Sequence, residues 1–418
     1  MRIPLLLTLL LALPVQAQDA ATAPETMPLD EIQRYVAVYR AIKEAYVEPI
    51  DDKTLMKAAL RGLLSDLDPH SAYLEKEAAD DLLEQTDGAY SGVGVEIEQR
   101  PDRSLLVVAP IDGTPAQRAG LRAGDVIIAI DGQALAADGA DAASRELRGP
   151  EGSQVTVTYL RLGEPAPRDL VITRETIRIT SVSSRVLEPG YGYLRIANFQ
   201  SDTGPQVLRQ LRALNAQSEG GQLAGLVLDL RSNPGGLLNA AVEAADAFLD
   251  DGLIVRTKGR LVYSNASFHA KPGDLLKGAP MVVLVDAGTA SAAEVLAGAL
   301  RDHRRALLMG SRTFGKGSVQ TVVPLENGDS VKLTTARYYT PRGRSIQARG
   351  IRPDEIIRGE TSRDLREQDL PGHLRGDAEV GDGFARGEVI EGDEAITKAL
   401  ARLKLPMRST AARDSALR

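Results

Sequence analysis

The chain has 418 residues, 43% hydrophobic and 26% charged, which suits two or three globular domains and excludes a disordered or fibrous protein. With 50 basic and 57 acidic residues the net charge is −7, so the basic excess that grips phosphate backbones is absent and nucleic acid is not expected as a partner. Cysteine is absent and histidine occurs four times, which removes disulfide frameworks, thiolate nucleophiles and cysteine-based zinc sites. No His-Glu-x-x-His string occurs either, so neither a metal nor a cofactor is expected.

The first residues read as an export signal. Arg2 gives the positive end, Leu5 to Leu13 an apolar run too short to span a bilayer, and Val15-Gln16-Ala17 a small-residue pattern for cleavage after Ala17. No cysteine follows, so lipid attachment at that site is excluded. The periplasm is the expected location, with a membrane anchor through an uncleaved signal as the alternative. After this segment (1–17), residues 28–86 form a helical region. Ile32, Tyr35, Val36, Tyr39, Ile42 and Tyr46 recur at helical spacing, and Thr54 to Leu67 repeats the pattern. Two short helices cannot enclose a core, so they are expected to pack on the rest of the chain or on a second subunit.

Residues 88–174 change character. Short β-like runs at Val93–Ile97, Leu105–Val108, Val126–Ile130, Val155–Leu160 and Leu170–Ile172 are separated by turn residues. Gly92-Val93-Gly94-Val95 and the string from Ala119 to Gly132 resemble a PDZ domain. The resemblance implies that the loop around Gly92, Val93, Gly94 and Val95 offers N–H groups to a peptide's terminal carboxylate while the next strand edge pairs with the peptide. Gly92 and Gly94 are expected at positive φ, as a backbone nest for an anion requires. The alternative is a small β domain that serves as a spacer.

Residues 177–358 alternate near-continuous apolar runs at Tyr191–Ile196, Leu226–Leu230 and Met281–Val285 with helical patterns at Gly204–Leu214, Leu237–Leu249 and Ser291–Leu300. Such runs suit strands covered on both faces, hence a layered α/β core. From 359 to 418 the composition turns charged and glycine-rich, apart from a helical pattern at Glu394–Leu403, and reads as a loose, partly disordered extension.

Three strings in the core bear on chemistry. Leu228 to Gly236 runs from a strand through Asn233-Pro234-Gly235-Gly236 to a helix, a turn that can aim free N–H groups at a developing oxyanion, or be an ordinary strand-to-helix turn. In Asp286 to Glu294, Ser291 stands at a helix start among small residues, but Ser291-x-x-Glu294 is equally a capping box. In Thr313 to Gln320, Lys316 lies between glycines in an apolar stretch, where desolvation would lower its pKa and free the amine as a base. It could also be a solvated loop lysine. A phosphate loop at Gly310–Lys316 fails because Gly317 stands where Ser or Thr would bind magnesium and a strand follows. His303, 12 residues after Ser291 on the same helical pattern, would lie roughly 18 Å from it at about 1.5 Å per residue, out of reach as a base. His70, His269 and His373 are expected to serve solubility or local hydrogen bonds.

The three strings in this order, with Leu67-Asp68-Pro69-His70-Ser71-Ala72-Tyr73-Leu74 before them and Ala336-Arg337-Tyr338-Tyr339-Thr340-Pro341 after, resemble the carboxy-terminal processing peptidases, also called tail-specific proteases. The resemblance covers nearly the whole chain after the export signal. It implies a core layered like the Clp protease and crotonase proteins, an inserted PDZ domain and helical N- and C-terminal extensions. It also implies that Ser291 is the nucleophile, Lys316 its general base and Gln320 the residue that orients the lysine, with the backbone N–H groups of Gly235, Gly236 and Ala292 as oxyanion donors. The spacings fit, Lys316 lying 25 residues after Ser291 and Gln320 four after Lys316.

The expected function is that of an exported serine endopeptidase that takes substrates by their C-termini, for processing or quality control. The alternative is a non-catalytic PDZ scaffold with an inactive core. A homo-oligomer is expected, because the helical extensions carry apolar stripes with no core of their own, and the resemblance allows a helical-repeat adaptor lipoprotein.

Overall fold

The computed structural model describes residues 28–100, 104–135, 139–357, 365–377 and 393–405. The expected export signal and its cleavage site at Ala17 lie outside these residues. Among the described residues, no helix is long and apolar enough to cross a membrane.

The chain divides into two compact units. The first carries α1 (Leu29–Ala45) and most of α2 (Asp52–Ser65), neither of which has a buried residue. Between its two helices, Tyr35 Oη donates to Met56 Sδ at 3.2 Å and Lys43 Nζ pairs with Asp52 at 2.7 Å.

The second unit opens with β1 (Ala72–Leu74) and α3 (Lys76–Asp87), then enters the region expected to be a PDZ domain. β2 (Ala89–Gly92) pairs with β9 (Glu175–Arg178), so the domain begins and ends on one two-stranded ribbon. Between them run β3 (Val95–Gln99), β4 (Leu105–Pro110), α4 (Pro115–Ala119), β5 (Val126–Ile130), β6 (Gln133–Ala134), α5 (Gly139–Leu147), β7 (Gln154–Leu160) and β8 (Arg168–Thr173). The sheet order is β3-β4-β5-β7-β8, which leaves β3 at an edge. Alternate residues of β7, Val155, Val157 and Tyr159, face a core shared with Leu105, Val107, Ile127 and Leu147, the period-2 pattern of a sheet covered on one face.

The α/β core contains β10 (Val182–Glu188), β11 (Tyr191–Ile196), α6 (Thr203–Ala216), β12 (Gly225–Asp229), α7 (Leu238–Asp246), β13 (Leu253–Gly259), β14 (Ala266–His269), β15 (Met281–Val285), α8 (Ala292–Asp302), β16 (Leu307–Gly310), β17 (Ser318–Pro324), β18 (Ser330–Tyr339), β19 (Glu355–Ile356) and α9 (Glu394–Leu403). Its main sheet, in the order β10-β11-β12-β15-β16-β19, is parallel from β11 to β19. All five residues of β12 and of β15 are buried because both faces are covered. Leu226, Leu228, Met281, Val283 and Val285 pack with α6, α7 and α8, whereas Val227, Val282 and Leu284 meet Ala395, Ile396, Ala399 and Leu403 of α9. A second sheet, β1-β18-β13-β14 with β17 also on β18, carries the lysine string. The architecture is thus a layered α/β core with an inserted small β-rich domain, as expected.

Within the C-terminal extension, the described stretches 365–377 and 393–405 are packed and not loose. Arg366 and Glu367 are buried, and α9 closes one face of the main sheet with its own apolar stripe. A charged composition resembles a solvated tail, but these ionic groups find buried partners in residues 312–347, which the linear sequence does not reveal.

Candidate active site

Three loops at the C-terminal ends of the main-sheet strands meet, the usual place for a site in an open α/β sheet. After β12, Asn233 sits fully buried. Its Nδ2 donates to the Ile196 carbonyl at 2.9 Å, and its Oδ1 accepts from Gly235 N–H at 2.9 Å. After β15, Asp286 Oδ1 accepts from Ser232 and Gly288 N–H at 2.8 and 3.0 Å, and Thr289 Oγ1 donates to the Leu230 carbonyl at 2.8 Å. After β16, Phe314 N–H donates to the Thr289 carbonyl at 3.0 Å. The loops are therefore cross-linked to one another and not only to their own strands.

Ser291 precedes α8 with φ 54° and ψ −118°. An N-cap residue is ordinarily extended, so a non-glycine residue here carries backbone strain, of the kind that lifts a nucleophile out of a strand-to-helix turn. The helix-capping half of the motif is present, since Glu294 Oε2 accepts from Ser291 N–H at 2.9 Å. That carboxylate does more than cap. It also accepts from Thr313 Oγ1 at 2.5 Å, Gly315 N–H at 2.8 Å and Lys316 N–H at 2.9 Å, tying the Ser291 turn to the lysine loop. Complete burial pushes its pKa up to about 7, against the four hydrogen bonds that favour the charged form.

Lys316 lies partly buried just before β17. Desolvation pushes its amine below the ordinary lysine value, helped by the charge of Lys332 and opposed by Glu367, Asp68 and Glu294. Among the described residues no hydrogen bond joins its Nζ to Ser291 Oγ; the buried phenol of Tyr338 faces Ser291 instead, its pKa pushed up to about 12 by burial. Gln320 Nε2 donates to Ser318 Oγ at 2.9 Å and Thr334 Oγ1 at 3.3 Å, and among the described residues no hydrogen bond joins it to Lys316.

Of the three expected oxyanion donors, the structure sets one apart. Gly235 N–H is taken by Asn233, whereas the N–H groups of Gly236 and Ala292 have no acceptor among the described residues. Gly235 matters for space: at φ 103°, a Cβ there would lie 2.8 Å from Ser291 Cβ and 3.0 Å from Ala292 N.

In the PDZ domain, Val93, Gly94, Val95 and Ile97 line one side of a groove of about 190 Å³, with Ser144, Leu147 and Arg148 opposite. The free edge of β3 borders it. Gly94 has the expected positive φ, 76°, and a Cβ there would strike Thr114 at 2.5 Å. Gly92 does not; it is an ordinary ladder residue of β2, opposite Glu175, so the two-glycine nest reduces to one left-handed position.

The histidines fall partly as expected: His303 Nε2 is bound to the Leu253 carbonyl at 2.7 Å and His373 Nδ1 to that of Leu370 at 3.1 Å. His70 instead bonds a fully buried carboxylate 297 residues away, Glu367, at 2.7 Å. Gln347 and Glu367 were not singled out by sequence, Asn233 entered only as part of the turn, and Glu294 only as the far end of a capping box, although a lone carboxylate in an alanine-rich helix was a signal for more.

The core is similar to known proteins at the level of family. Peptidase family S41 matches residues 190–357, the PDZ domain residues 106–161 and the activating protease CtpB N-terminal domain residues 12–78. A carboxy-terminal-processing protease of Bartonella bacilliformis is 40% identical over 376 residues, 90% of this chain and 84% of the relative. A carboxyl-terminal-processing protease of Synechocystis is 37% identical over 323 residues, 76% of this chain and 74% of the relative. Among solved structures, the photosystem II D1 C-terminal processing protease is 36% identical, spans 78% of this chain and 93% of its own, and superposes with a TM-score of 0.46. The chain belongs to peptidase family S41, as a PDZ-containing serine peptidase of the carboxyl-terminal-processing group.

Proposed function

We propose that the protein is an exported endopeptidase that takes substrates by their C-termini and cleaves them with a Ser291–Lys316 dyad. The observation that carries this reading is the strained Ser291 at a helix start, tied through Glu294 to a loop that holds a desolvated lysine. Ser291 Oγ attacks the scissile carbonyl as the neutral Lys316 amine takes its proton. The oxyanion receives hydrogen bonds from Ala292 and Gly236 N–H, the two donors without another acceptor. Lys316 then protonates the leaving amine; water, deprotonated by the same lysine amine, attacks the acyl carbon, and Ser291 Oγ leaves by taking that proton back from Lys316. Gln320 Oε1 accepts no hydrogen bond among the described residues and is available to the lysine ammonium. The hydrogen bond between Ser291 and Lys316 belongs to the substrate-bound state, since such contacts often tighten only in the complex.

The PDZ groove takes the substrate tail as an added strand on β3, its terminal carboxylate at the Val93–Gly94 turn and its last side chain among Val93, Val95, Ile97 and Leu147. The signal over residues 1–17 directs the chain to the periplasm. Hydrolysis of an unstructured protein by the purified chain, Ser291→Ala and Lys316→Ala tests the dyad. Loss of at least a thousandfold in each variant is expected, on the order of a triad-type machinery. Equal activity in all three refutes the dyad, and an inert wild type that still binds C-terminal peptides supports the scaffold reading.

A further inference from the structure

The Leu67–Leu74 string and the charged C-terminal stretch take no part in the chemistry above, yet they meet beside Lys316. Three successive amides set the course of the lysine loop. Gly315 and Lys316 donate to Glu294, and Gly317 N–H donates to Gln347 Oε1 at 2.9 Å. Gln347 is fully buried, and its Nε2 donates to Glu367 Oε1 at 2.8 Å and to the Leu374 carbonyl at 3.0 Å. The other oxygen of Glu367 accepts from His70 Nε2 at 2.7 Å.

Both ends of this relay are anchored. Asp68 accepts from the N–H groups of His70 and Ser71 at 2.8 and 3.0 Å and from Thr334 Oγ1 at 3.1 Å, which fixes the His70 turn to β18. Arg366 Nη1 donates to the carbonyls of Arg312 and Thr313 at 2.6 and 2.9 Å, and Glu367 N–H to that of Phe314 at 3.2 Å, which lays residues 365–377 along the lysine loop. A fully buried carboxylate that loses a hydrogen-bond partner is strongly penalised, so removing His70 leaves Glu367 Oε2 unpaired and forces the side chain and its neighbours to rearrange. That rearrangement disturbs Gln347 and the Gly317 amide next to the base. A displacement of about 1 Å at a catalytic group can cost on the order of a hundredfold in rate.

The geometry points to a clasp: His70 and Glu367, from opposite ends of the chain, act as positioning residues that set the Lys316 loop through Gln347, so the site is complete only with residues 365–377 seated on the His70 turn. This inference rests on the reading of Lys316 as the base. The test uses the full chain, a short internally quenched peptide, and His70→Ala, His70→Gln, Glu367→Gln and Lys316→Ala. For His70→Ala, kcat is expected to fall at least tenfold with KM within twofold of wild type, the melting temperature lowered but the chain still folded at the assay temperature, and labelling of Ser291 by a fluorophosphonate slowed in parallel. His70→Gln still donates to Glu367 and is expected to recover most of the loss. If Glu367→Gln does not fold, the His70 pair decides. Wild-type kcat in folded His70→Ala, a change confined to KM, or equal loss in both His70 variants overturns the clasp. Full activity in Lys316→Ala instead overturns the dyad.

Discussion

Glu294 is a carboxylate with no access to water and four donors around it, and its charge state links the two halves of the site. Its folded pKa of about 7 lies above the ordinary 4.5, so its contribution to stability is complete below pH 4.5 and is lost as pH rises through 7. Melting temperatures of wild type and Glu294→Gln across that window should therefore diverge with rising pH in favour of the variant, and a constant difference would refute the assignment. Activity runs the other way, because only the ionised carboxylate accepts all four hydrogen bonds and only the neutral Lys316 accepts a proton. The rate should rise with pH, with its limb below the ordinary lysine value of 10.5. A rate independent of pH between 5 and 9 would count against an amine base. Gly235→Ala places a Cβ against Ser291 at a left-handed position, and should destabilise by about 1–3 kcal/mol while reducing kcat more than KM, read by melting and steady-state kinetics.

At the scale of elements, α9 decides how the C-terminus is understood. Its buried face, Ala395, Ile396, Ala399 and Leu403, supplies the second cover that the all-apolar strands β12 and β15 require. Ile396→Ala should cost about 2–4 kcal/mol by denaturant titration, as for other buried truncations. A cost under 0.5 kcal/mol would mean that α9 leaves the sheet in solution. The apolar stripe of the helical pattern Glu394–Leu403 was legible in the sequence, but a stripe does not say what it covers, and here it covers the chain's own sheet. The stripes of α1 and α2 differ, since neither helix has a buried residue.

For the whole molecule, that difference makes the N-terminal unit, and not α9, the place to test for the expected self-association. Ile32, Tyr35, Val36 and Val38 on α1 and Met56 and Leu60 on α2 stay 38% or more exposed, more apolar surface than two helices leave to water without a partner. Sedimentation of a variant that lacks residues 18–50 should show a smaller species than wild type. An unchanged oligomer refutes the assignment.

The sequence by itself determined what is local or periodic. The alternation of β7, the continuous apolar runs of β12 and β15 and the helix at Ser291 follow from side-chain pattern, and the strings around Ser291 and Lys316 were legible because they are contiguous. Tertiary structure decided what depends on partners distant along the chain. It spent the Gly235 amide on Asn233, made Glu294 a hub as well as a cap, and joined His70 to Glu367. A buried hydrogen bond is specified by two residues and the fold that brings them together, so neither residue announces it alone.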